Sequence, residues 1–166
     1  EGISKNIDDT VMYLDNIIRE GEYEKVIFMG TSLGGYGAIL FGSLCSSVDW
    51  VVGFTPRTNL ASKSKGDLVG DSDQVEYKNL RNIINKKTRY ILYGDLAIKN
   101  VDNNHHISQC YNLEEFQNVD IHSIKEGGFP IAQLRDDGTI KNIIDNILFD
   151  KSSTKGFCCP TCTCHE

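Results

Sequence analysis

A serine lies at the centre of the glycine-rich segment Gly30-Thr31-Ser32-Leu33-Gly34. An apolar run precedes the segment and small residues follow it, which is the strand–turn–helix context of a nucleophile elbow. In such a turn the serine hydroxyl is exposed, glycines leave room for a tight backbone, and the next N–H can stabilise an oxyanion. We therefore predict that Ser32 is a nucleophile and Leu33 an oxyanion donor, and that Gly30, Gly34 and Gly35 form the turn.

The same residues also fit a turn that binds phosphate passively at a helix N-terminus. A Walker-type loop is not predicted, because no Lys-Ser or Lys-Thr pair follows the glycines. The surrounding pattern favours the nucleophile over the passive turn.

Four potential metal ligands lie close together near the end of the sequence: Cys159, Cys162, Cys164 and His165. The Cys-x-x-Cys spacing suits zinc, but closed zinc sites usually draw their ligand pairs from two separated turns. Thiol redox chemistry is a further alternative. We favour a thiol-rich tail after a polar linker over residues 151–166, and we predict no bound metal and no cofactor.

Strands and helices alternate along the chain. Short apolar runs predict strands over residues 25–29, 50–54, 89–93 and 119–124. Spacings of three and four between apolar residues predict helices over residues 6–19, 34–45, 75–85, 104–116 and 138–149. This alternation indicates an α/β fold with three layers, in which helices cover both faces of a mostly parallel sheet of about four strands.

Composition excludes several classes of protein. The 166 residues carry a formal net charge of −6, so a basic surface for nucleic acid is not expected. No apolar run approaches the roughly 20 residues of a membrane span. Cys45 and Cys110 stand alone in apolar surroundings, which indicates a reduced, cytoplasmic protein. The length suits one domain, and we place it at residues 1–150.

Residues 26–44 resemble the elbow region of the α/β-hydrolase family, in particular small members from bacterial surface-polysaccharide loci and large DNA viruses. Residues 52–58, Val-Gly-Phe-Thr-Pro-Arg-Thr, are similar to the strand end that follows the elbow in that group. The resemblance spans residues 6–148. It implies that the earlier strands of the fold are missing, so that the first strand has an open edge and the N-terminal half of the same protein is a potential partner.

The family resemblance also implies a triad in the order serine, acid, histidine. A similar "Y-G … D-x-x-H" segment makes Asp102 the expected acid and Asp95 its rival. The family's histidine follows the last strand, where this sequence has Gly128 and Phe129. Three histidines could take its place. We take His105, which follows the acid candidate in the same region of the chain, as the base, and His106 and His122 are the alternatives.

The resemblance implies a serine hydrolase that cleaves an acylated saccharide or a similar polar ester. The alternative is a catalytically degenerate hydrolase-fold module that binds or assembles within a larger glycan-related protein. In either reading the expected ligand is a small molecule or saccharide.

Overall fold

The computed structural model describes residues 6–60, 75–100, 102–124 and 130–149. The predicted tail at 151–166, with its four potential metal ligands, lies outside these residues, and so do Gly128 and Phe129. Among the helices described, none is long and apolar enough to cross a membrane.

Four parallel strands form one sheet in the order β1-β2-β3-β4. Their bounds are β1 Ile27–Thr31, β2 Trp50–Phe54, β3 Arg89–Asp95 and β4 Val119–Ile124. The predicted second and fourth strands have these same bounds, whereas β1 lies two residues later than predicted. Val26 is outside the ladder because its N–H donates to Asp49 Oδ2 and its carbonyl accepts from Asp49 and Trp50.

Helices cover both faces of the sheet, as predicted for three layers. They are α1 Ile7–Glu20, α2 Leu33–Leu44, α3 Ser108–Tyr111, α4 Pro130–Asp136 and α5 Thr139–Leu148. Alternate strand residues point to opposite faces, so Val51 and Leu92 pack with α1, α2 and α3, while Val52 and Ile91 pack with α4 and α5.

Two helix predictions were wrong. The segment predicted as a helix over 75–85 contains only the 3₁₀ turn Leu80–Asn82. Its backbone is paired elsewhere, since Leu80 N–H donates to Thr58 O and Lys78 O accepts from Leu60 N–H. The helix predicted over 104–116 is reduced to α3 between turns, and α4 was not predicted at all.

β1 and β4 are the edge strands of the sheet in the part of the chain that the structure describes. β1 has the nucleophile candidate at its end. It pairs with β2 along its inner side, from Ile27↔Trp50 to Thr31↔Phe54. Beside it, Leu14, Phe28, Met29 and Phe41 line a shallow apolar groove. The nucleophile candidate follows directly after this strand.

Candidate active site

Ser32 joins β1 to α2 and has a strained backbone. Its φ is 53° and its ψ is −118°, a conformation that costs a non-glycine residue about 1–3 kcal/mol. The turn is held from both sides, because Ser32 N–H donates to Phe54 O at 3.0 Å and Ser32 O accepts from Tyr36 N–H at 3.0 Å. Such strain persists only where surrounding contacts determine it, and it is typical of functional sites.

The three glycines of the turn differ in what they do. A Cβ on Gly30 would overlap the Gly34 backbone, so the tight turn requires glycine there. A Cβ on Gly35 would lie 2.9 Å from Pro56 Cβ, so this glycine allows α2 to approach the segment after β2. A Cβ on Gly34 would meet nothing within 4 Å. The prediction that the turn needs glycine at position 34 for steric room was therefore wrong.

His105 contacts the serine. Ser32 Oγ and His105 Nε2 are 2.8 Å apart, and both side chains are partly buried. If Nε2 accepts the hydroxyl proton, the neutral ring carries its own proton on Nδ1, which suits a base that is oriented through Nδ1. The pair can therefore lower the barrier for attack by Ser32 Oγ.

The other two candidate histidines lie elsewhere. His106 Nδ1 accepts the N–H of Ser108 at 3.0 Å, which fixes this ring at the start of α3. His122 is buried in β4 and stacks on Tyr93 with ring centroids 5.0 Å apart. Burial is the main influence on the His122 pKa and lowers it, while the charge of Asp120 acts in the opposite direction.

The two candidate acids have contrasting environments. Asp102 is exposed, its N–H donates to Asn100 Oδ1, and its carboxylate makes no hydrogen bond to His105 among the described residues. Asp95 is buried at the end of β3, where its Oδ1 accepts Ala97 N–H at 2.8 Å. Its backbone also pairs with the histidine segment, because Asp95 N–H donates to His105 O.

Neither the two cysteines that the structure describes nor its clusters of polar side chains offer a second reactive site of the thiol or metal kind. Burial raises the pKa of Cys45 to about 11 and that of Cys110 to about 12, so both thiols stay protonated near neutral pH. Across residues 6–60, 75–100, 102–124 and 130–149, no three His, Cys, Asp or Glu side chains come together as a metal site.

Several solved hydrolases have a similar backbone. MGS-MChE2, an α/β-hydrolase enzyme from a sediment metagenome of the Mar Chica lagoon in Morocco, matches 85% of this chain with a TM-score of 0.54 and 19% identity. An acylaminoacyl peptidase from Pyrococcus horikoshii matches 90% with a TM-score of 0.59 and 15% identity. An acetyl ester-xyloside bifunctional hydrolase from Caldicellulosiruptor lactoaceticus matches 85% with a TM-score of 0.55 and 11% identity.

The chain has the α/β-hydrolase fold. The matches cover 68% of MGS-MChE2, 28% of the peptidase and 64% of the bifunctional hydrolase, so this chain corresponds to part of each. No protein-family model and no curated protein sequence matches the chain.

Within this α/β-hydrolase fold, Leu33 is the first residue of α2. The first N–H groups of a helix have no partner within it, and the helix dipole adds positive potential there. The Leu33 N–H is therefore available beside Ser32 for a developing oxyanion.

Sequence reasoning missed one residue that links the elbow to the histidine segment. Gln109 is buried in α3, and its side chain bonds to the segment after β2. Its only signal in the sequence is a polar residue between the apolar Ile107 and Cys110, a pattern too common to single it out.

Proposed function

We propose that the chain is a serine hydrolase that cleaves acyl esters. The observation that supports this most strongly is the 2.8 Å contact between Ser32 Oγ, on a strained turn, and His105 Nε2. Ser32 Oγ attacks the ester carbonyl while His105 takes its proton, and Leu33 N–H stabilises the oxyanion. His105 then protonates the departing alcohol, and water releases the acyl group by the reverse steps.

An acylated saccharide or similar polar ester is the proposed substrate. Support comes from the resemblance of residues 26–44 to hydrolases from polysaccharide loci and from the likeness to the bifunctional hydrolase, whose own substrates include an acetyl ester. The net charge of −6 disfavours polyanionic substrates.

A degenerate module that binds without hydrolysis is the second candidate. It is favoured by the exposed Asp102 carboxylate, which has no bond to His105 among the described residues. The two proposals differ in whether Ser32 reacts.

Fluorophosphonate labelling of the full chain separates these proposals. We expect the probe to modify Ser32, and we expect Ser32→Ala and His105→Ala to lower p-nitrophenyl acetate hydrolysis by about 10³-fold or more. His106→Gln is the matched control, because this ring is held by Ser108 and lies outside the proposed machinery. If wild-type Ser32 is not labelled, the hydrolase proposal is wrong and the binding module stands.

The acid is tested separately with Asp102→Asn and Asp95→Asn. We propose that Asp102, which lies three residues before His105 on the same segment, orients His105 once substrate is bound, because catalytic hydrogen bonds absent from a free site can form in the complex. On this proposal Asp102→Asn lowers kcat by about 10⁴-fold, the loss typical of replacing a triad aspartate by asparagine, and leaves unfolding unchanged. Asp95→Asn then affects stability more than kcat, because Asp95 is buried. The reverse pattern assigns the role to Asp95.

A further inference from the structure

The segment after β2, residues 55–59, holds the Ser32 turn in place. Arg57 N–H donates to Ser32 O at 3.3 Å, and Pro56 packs against Gly35. The segment is itself strained, since Thr55 has a φ of 43°. The Thr55 N–H donates to Tyr93 O at 2.6 Å, which holds the segment against β3. Ser32 and Thr55 directly follow the paired residues Thr31 and Phe54, so two strained turns lie side by side on neighbouring strands.

Gln109 joins this segment to α3. Its Oε1 accepts two backbone N–H groups, those of Thr58 and Asn59, each at 3.0 Å. The Thr58 hydroxyl also donates to the Gln109 main-chain carbonyl. Thr58 is fully buried and Gln109 is 7% exposed, so water cannot readily replace these bonds.

The same glutamine is fixed to the histidine segment. Gln109 N–H donates to His106 O at 3.0 Å, and His105 precedes Gln109 by four residues. Ile107 N–H donates to Asp95 O at 3.0 Å, which ties the start of α3 to the end of β3. A continuous set of contacts therefore runs from Ser32 through Arg57, Thr58 and Gln109 to His106 and His105.

We propose that Gln109 is a positioning residue that sets the distance between Ser32 Oγ and His105 Nε2; this rests on the proposed hydrolase function. The nucleophile and the base lie on separate segments, 73 residues apart in the chain. A displacement of about 1 Å between reacting groups can cost about 100-fold in rate. Gln109 touches neither reacting atom, so it acts on turnover through geometry.

Gln109→Met tests this role in the full chain. The substitution keeps the side-chain length and removes the acceptor for Thr58 and Asn59. We expect kcat for p-nitrophenyl acetate and the fluorophosphonate labelling rate to fall about 10- to 100-fold while KM changes by less than about threefold. Gln109→Glu retains an acceptor oxygen, so we expect it to recover most of the loss.

Asn85→Leu is the matched control. Asn85 is another amide that joins segments, since its Nδ2 donates to Ser43 O and its Oδ1 accepts Thr88 N–H, but it precedes β3 at the opposite end of the sheet. We expect it to lower stability without lowering kcat per folded molecule. If Gln109→Met does not fold, Thr58→Val takes its place. It removes the hydroxyl that donates to the Gln109 carbonyl and accepts from Asn112 Nδ2, and the proposal then requires a smaller fall in kcat, of about threefold or more.

The outcomes separate the two proposals. The positioning role is overturned if Gln109→Met and Asn85→Leu have the same kcat per folded molecule. It is also overturned if Gln109→Met does not fold and Thr58→Val keeps the wild-type kcat. In both cases Ser32 can still be the nucleophile. If Ser32→Ala and His105→Ala retain full hydrolysis, the proposed function itself is wrong.

Discussion

At the scale of single residues, the turn at Ser32 depends on the absence of one side chain. Gly30 precedes the serine by two positions, and a Cβ there would overlap the Gly34 backbone, which cannot move without shifting the start of α2. The helix start also supplies the Leu33 N–H proposed for the oxyanion. The steric requirement at Gly30 is therefore directly connected with the proposed chemistry.

We predict that Gly30→Ala and Gly34→Ala differ sharply although both add one methyl group. Gly30→Ala overpacks the turn and is expected to cost about 1–3 kcal/mol in free energy of unfolding and most of the fluorophosphonate labelling. Gly34→Ala places its Cβ in open space and is expected to be neutral or slightly stabilising, because alanine favours a helix over glycine. Urea unfolding and labelling rates check both, and equal effects would contradict the steric explanation.

The sequence predicted Ser32 and took His105 as the base, but it offered no physical reason to prefer His105 over its neighbour His106. These neighbouring residues are distinguished by the turn that Asn103 makes, in which Asn103 Oδ1 accepts His105 N–H and Asn103 O accepts His106 N–H. That turn brings the His105 ring to Ser32 and the His106 ring to Ser108. Side-chain direction at this level depends on tertiary contacts that no periodicity encodes.

At the scale of elements, α5 is held to the start of β1 by hydrogen bonds from a lysine 122 residues earlier in the chain. Lys25 Nζ donates to Ile147 O at 2.7 Å and reaches Leu148 O at 3.4 Å. α5 has no basic residue in its own last turn, so Lys25 supplies the positive charge that suits a helix C-terminus. The apolar side of the helix, with Ile143 and Ile147, packs on Val52 and Ile91.

We predict that Lys25→Met lowers the free energy of unfolding by about 1 kcal/mol, because the last carbonyls of α5 lose their charged partner while the apolar stem remains. Lys141→Met is the control, since Lys141 pairs with Asp145 on an exposed surface and such pairs contribute less than about 1 kcal/mol. Denaturant midpoints at constant m-value measure both. A Lys141→Met loss as large as that of Lys25→Met would argue against the capping role.

The apolar pattern of the sequence predicted the strands better than the helices. Helix prediction failed where side chains form hydrogen bonds with nearby backbone N–H groups. β2 was predicted because it is a continuous apolar run between Asp49 and Thr55. β4 was predicted from three apolar residues among polar ones: Val119, Ile121 and Ile124. The helix predicted over 75–85 failed because Asn79 Oδ1 accepts Arg81 N–H and Asn85 Oδ1 accepts Lys87 N–H. Asparagine side chains that bind nearby N–H groups compete with helical hydrogen bonds, whatever the apolar spacing.

At the scale of the whole molecule, the sheet has an aromatic row across one face. Phe54 stacks on Tyr93 with centroids 5.2 Å apart, and Tyr93 stacks on His122 at 5.0 Å. These residues lie on β2, β3 and β4, so one row joins three strands. Within this row, burial lowers the pKa of His122 and so favours its neutral ring.

We predict that His122 makes stability depend on pH. Burial lowers its folded-state pKa below the ordinary value of about 6.5, so the unfolded chain binds more protons as pH falls below that value. The free energy of unfolding should therefore decrease from pH 7.5 toward pH 5. His122→Phe keeps an aromatic ring and removes the proton, so urea unfolding of this variant should show a flatter pH dependence. An unchanged slope would refute the contribution of His122.

The sequential strand order has a consequence for synthesis on the ribosome. Each strand pairs with the one made just before it, and Ser32 and His105 belong to the part of the chain that ends before β4. The helices α4 and α5, which cover Val52, Phe54, Ile91 and Tyr93, follow β4. The segments with the proposed Ser32–His105 pair are therefore synthesised before the helices that cover this apolar face, and until those helices are made the face is an exposed apolar surface of the kind that favours aggregation.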